Sequence, residues 1–91
     1  MGAVAETIRH KLGAAFSPIR LDVVDDSDRH KGHAGAREGG ESHFTVTLES
    51  AAFAGVGRVQ RQRMVHAALA EELAGPIHAL SLKTFAPGEG G

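Results

Sequence analysis

The chain has 91 residues, 42% of them hydrophobic and 23% charged, with a formal net charge of −1. That length holds one small domain, residues 1–91 as a whole, and the near-neutral charge excludes a bulk electrostatic grip on nucleic acid while leaving room for a local basic patch. Cysteine is absent, which excludes disulfides, thiol redox chemistry and an all-thiolate metal site built by this chain alone.

No apolar run approaches the roughly 18 residues that a membrane-spanning helix needs. No basic segment followed by an apolar one marks a secretory leader. Met1-Gly2 opens as a myristoylation motif does, but Glu6 stands where that motif wants Ser or Thr. The expectation is a soluble, cytoplasmic, monomeric chain. Histidine occurs six times, while Tyr and Trp are missing and four Phe supply all the aromatic bulk.

Val4, Ile8, Leu12 and Phe16 recur at intervals of four and predict an amphipathic helix over 3–16. Ser17-Pro18 stops it, because Pro lacks an amide and disfavours helix in the residue before it. Ile19, Leu21 and Val23 alternate with polar residues and predict a strand over 19–26. Between 27 and 41 the periodicity vanishes into Gly, His and charged residues, which reads as a long mobile loop. Phe44, Val46 and Leu48 alternate with His43, Thr45, Thr47 and Glu49, so 42–49 is a second strand with one buried face. Residues 58–74 read as one helix whose apolar arc is Val59, Val65, Leu69, Ala70 and Leu73, closed by Gly75-Pro76. Leu80 and Leu82 mark a third strand within 77–85, and about 84–91 reads as a flexible tail. The order helix-strand-strand-helix-strand predicts an α/β (α+β) domain with two helices on one face of a three-stranded mixed sheet.

Three histidines are candidate metal ligands: His30 and His33 in the loop, and His78 at the start of the third strand. Neutral imidazole binds metals well, and a Gly-rich segment bends around an ion without strain. His43 falls on the non-core face and reads as a solvent-facing polar residue, whereas His66 lies near the apolar arc of its helix and reads as a core histidine. With imidazole alone the chain offers at most half of an iron-sulfur site, as in Rieske-type centres, where two histidines replace two thiolates on one iron. Arg58, Arg61 and Arg63 crowd the start of the second long helix, with Glu71 and Glu72 toward its end, the reverse of what the helix dipole favours. Such a cluster suits phosphate or an acidic partner, and Met64, read as outward-facing, is an adaptable residue for a protein contact. Asp25 and Asp26 point to opposite faces and form no carboxylate dyad; Ser27 and Ser42 lack a His–Asp pair; no phosphate-binding loop or dinucleotide motif is present. No catalytic role is expected.

Taken together, Asp25-Asp26-Ser27 with His30, Gly40-Glu41-Ser42-His43-Phe44, Phe53-Ala54-Gly55, Arg61-Gln62-Arg63-Met64-Val65, Ala70-Glu71-Glu72-Leu73 and His78-Ala79-Leu80 resemble the BolA family across nearly the whole chain. The resemblance implies a class II KH-like fold and partnership with a monothiol glutaredoxin, in which a [2Fe-2S] cluster is shared with glutaredoxin and glutathione and none is held by the isolated chain. By position it implies His78 as one ligand and His30 or His33 as the second. It also implies, as the alternative, a DNA-binding transcriptional regulator that uses the start of the second helix and the strand after it. The family's common Arg-His-Arg is broken here by Gln62. A plain protein-interaction module without metal is the residual case.

Overall fold

The computed structural model describes residues 2–26 and 43–89. The predicted loop at 27–41, with His30 and His33, lies outside them. The described elements are α1 (Ala3–Phe16), β1 (Arg20–Asp25), β2 (His43–Glu49), a 3-10 turn (Ala51–Phe53), α2 (Arg58–Ala68), α3 (Ala70–Ala74) and β3 (Ala79–Phe85). The strand order is β1-β2-β3, antiparallel between β1 and β2 and parallel between β2 and β3. This is the mixed α+β arrangement that the sequence pattern predicts. Among the described residues, no helix is long and apolar enough to cross a membrane.

The central strand organises the core. Phe44, Val46 and Leu48 are buried at every second position, and α1 lays Ala5, Ile8, Leu12 and Phe16 over the same face. Val65 and Leu69 join them from the second helical region. Because side chains alternate along a strand, the polar partners His43, Thr45, Thr47 and Glu49 stand on the opposite face. α1 ends at Ser17, whose amide donates to the Gly13 carbonyl and whose left-handed backbone (φ 44°) turns the chain out of the helix, with Pro18 just beyond.

The predicted helix over 58–74 is two helices. Leu69 leaves helical geometry (φ −108°, ψ 22°) at the point where it is fully buried. Its amide still reaches the Val65 carbonyl, and its carbonyl still accepts from Leu73. The break reverses one apparent anomaly, since Glu71 and Glu72 stand in the first turn of α3, where negative charge is favoured. Both accept from Lys11 of α1, at 3.0 Å and 2.8 Å, and these carboxylates hold the Lys11 ammonium above its ordinary pKa.

The phase of α2 also differs from the reading. Val59 is 65% exposed, and Ala70 and His66 are exposed rather than part of the apolar arc. Met64 is half-buried and packs against the core instead of pointing outward. The buried positions Val65 and Leu69 extend back by four residues to Arg61, so a cation occupies the core-facing place in the first turns. Ile77 is buried ahead of β3, and that strand runs to Phe85, into the span read as tail.

Candidate functional site

The sheet topology gathers the C-terminal end of β1 and the N-terminal ends of β2 and β3 at one corner. There the Asp26 amide donates to the His43 carbonyl at 2.7 Å, and the Asp26 carboxylate accepts from the Thr45 hydroxyl. Parallel register pairs His43 with Ala79, which brings His78 alongside. The two imidazoles stack with ring centroids 6.2 Å apart and planes 21° from parallel. His78 is exposed and His43 half-buried. His43, read from the sequence as a solvent-facing polar residue, therefore neighbours the foremost metal candidate. The signal was available only jointly, in two parallel strands of which one begins with histidine and the other directly follows one. The described chain stops at Asp26 and resumes at His43, both at this corner, and His30 and His33 lie outside the described residues. Among the described residues, no three His, Cys, Asp or Glu side chains form a metal-holding group.

The basic residues take separate roles. Arg58 and Lys83 are exposed and line a groove of about 220 Å³ between α2 and β3, with Gln62, Leu82, Thr84 and Phe85. Arg63 is exposed as well. Arg61 instead turns inward. Its side chain is 11% exposed, its Nε donates to the Val56 carbonyl at 2.7 Å, and Nη1 reaches the Thr84 carbonyl at 3.3 Å. Nη1 and Nη2 grip Glu89 at 2.7 and 3.2 Å, and the guanidinium lies 5.7 Å from the centre of the Phe53 ring. Glu89 also accepts from the Ala86 amide at 2.7 Å. Arg61 above all, and then that amide, hold the Glu89 carboxyl down to about 2. Arg61 is thus a latch tying α2 to the end of β3 and the turn after it.

A family model described as "BolA-like protein" matches residues 12–89. The chain belongs to the BolA family. Among BolA relatives, it is 48% identical over 82 residues to the Escherichia coli "DNA-binding transcriptional regulator BolA", covering 90% of this chain and 74% of that one. It is 45% identical over 89 residues to human "BolA-like protein 1", covering 98% of this chain and 62% of the human protein. The BolA domain of SufE1 from Arabidopsis thaliana superposes with a TM-score of 0.86 at 37% identity, with 98% of each chain covered. Mouse BolA1 superposes at 0.79 with 41% identity, covering 96% of this chain and 68% of that structure. These BolA relatives are named as a regulator or as BolA-like proteins, not as enzymes.

Proposed function

We propose that this BolA-family chain is a non-enzymatic partner of a monothiol glutaredoxin and co-ligates a [2Fe-2S] cluster through histidine, in iron-sulfur trafficking or iron and redox regulation. The observation that carries the reading is the position of His78. It is an exposed imidazole beside a second imidazole, at the corner of the sheet where β2 and β3 begin. The donor chemistry fits half a cluster. The chain has imidazoles and no cysteine, so it supplies nitrogen to one iron while thiolate comes from glutaredoxin and glutathione. Histidine ligation needs the neutral ring, so acid releases such a cluster.

The test is anaerobic reconstitution with a monothiol glutaredoxin, glutathione, iron and sulfide, read by visible absorption and circular dichroism. A spectrum distinct from the glutaredoxin homodimer's, and altered by His78→Ala, is the expected result. The homodimer spectrum alone would reject the shared cluster.

The groove of Arg58 and Lys83 favours a second reading, DNA binding, in line with the name of the Escherichia coli relative. There, affinity falls with salt, and an Arg58→Ala/Lys83→Ala double variant flattens the dependence of log K on log salt by about 1 for each phosphate it no longer neutralises. An unchanged slope in that variant would exclude the groove.

A further inference from the structure

We propose that Glu89 is a built-in competitor for the phosphate backbone of DNA, concealing Arg61 as a third cation of the α2–β3 groove; the inference rests on the DNA-binding reading above. The groove of Arg58 and Lys83 has a neighbour. A second cavity of about 390 Å³, lined by Val56, Arg61 and Glu89, shares Arg58, Thr84 and Phe85 with it, so the two adjoin. Among the described residues that line them, three are cations, and Glu89 is the single acidic side chain set against these.

The chain's own turn delivers that carboxylate. Pro87 and Gly88 form the middle of a turn closed by the Glu89 amide, which donates to the Ala86 carbonyl at 3.0 Å. Gly88 has φ 89°, the left-handed value that the second central position of a type II turn requires, and Pro is favoured at the first. Folded this way, Glu89 accepts from the Ala86 amide and presents both carboxylate oxygens to Arg61. The Glu49 carboxylate steadies the turn from β2, accepting from the Gly88 amide at 3.1 Å. A phosphodiester offers a guanidinium the same pair of oxygens, so the two anions compete for one fork. Exchange costs little. The Glu89 side chain is 49% exposed, and ion pairs with so open a partner are weak. Ala86 is buried, but Pro87, Gly88 and Glu89 are exposed, so the tip of the turn can swing away while the core stays covered.

The experiment is fluorescence anisotropy of a labelled DNA duplex over a series of salt concentrations. Four proteins are compared: wild type, Glu89→Gln, Arg61→Gln/Glu89→Gln and Arg58→Ala/Lys83→Ala. The expected result is that Glu89→Gln binds several-fold more tightly and steepens the slope of log K against log salt by about 0.9, the value of one added phosphate contact. Arg61→Gln/Glu89→Gln then loses both gains. Equal binding by wild type and Glu89→Gln, with the slope still flattened in Arg58→Ala/Lys83→Ala, overturns the competitor and leaves the DNA reading standing. A gain that survives in Arg61→Gln/Glu89→Gln is a general charge effect and also overturns it. Absence of binding by all four proteins overturns both readings. If Arg61→Gln/Glu89→Gln melts well below wild type, nuclear magnetic resonance of wild type decides. The Ala86 amide signal moving toward its Glu89→Gln position as DNA is added supports displacement of the carboxylate, and a signal that stays in place rejects it.

Discussion

Ser50 is the one polar residue fully buried among those described, and it is satisfied on both sides. Its hydroxyl donates to the Phe16 carbonyl at 2.6 Å and accepts from the Ala52 amide at 3.1 Å. One side chain thereby joins the end of α1 to the 3-10 turn after β2. Ser50→Ala leaves both partners without it, and a loss of about 1–3 kcal/mol is expected in urea unfolding. Glu89 acts in the turn after β3. Its folded pKa, about 2, lies below its ordinary value of 4.5, so the ionised form is the one the fold prefers. The stability it contributes is complete above that ordinary value and declines as pH falls from there toward 2. Wild type is therefore expected to be more stable than Glu89→Gln at neutral pH. The difference between their urea midpoints should shrink steadily below pH 4.5, and a gap that stays constant to pH 2 would show that the ion pair is not its source.

At the level of elements, α2 and α3 turn on which residues face the sheet. Val65 and Leu69 have no exposed surface, whereas Val59 is 65% exposed. Leu69→Ala is therefore expected to cost about 2–5 kcal/mol, and Val59→Ala to change stability by no more than about 0.5 kcal/mol. Equal effects in denaturant titrations would contradict the observed phase. The Lys11 bridge to Glu71 and Glu72 connects α1 to α3, but Glu71 is 87% exposed, and exposed ion pairs contribute little. Burial of Leu69, with half-buried Leu73 packed against the core, holds the second helical region in place, and the Lys11–Glu72 contact, with Glu72 only 11% exposed, is the shielded branch of the bridge.

Across the whole molecule, the core and the candidate site occupy separate parts of the sheet. Hydrophobic side chains of α1, α2 and β2 meet on one face, and His43 and His78 meet at one end of the strands. Substitution of an exposed imidazole should therefore leave the core intact. His78→Ala is expected to melt within about 0.5 kcal/mol of wild type while changing the spectrum of the reconstituted mixture. A collapse of stability in that variant would give His78 a structural role instead.

By itself, the sequence determined the helix of 3–16, the alternating strands, the order of elements, the absence of thiolate and the likeness to the BolA family. Each is written in local periodicity, composition or motif, and survives without knowledge of distant neighbours. Tertiary structure decided the rest. Arg61 read as a free cation because Glu89, 28 residues away, is no neighbour in sequence. Met64 and His66 were assigned by an arc that included Val59, and the packing of Val65 and Leu69 set a different phase. His43 read as ordinary polar surface until parallel pairing brought it to His78. Periodicity reports which residues want burial, but only the pairing of strands and the docking of helices decide which distant side chains meet.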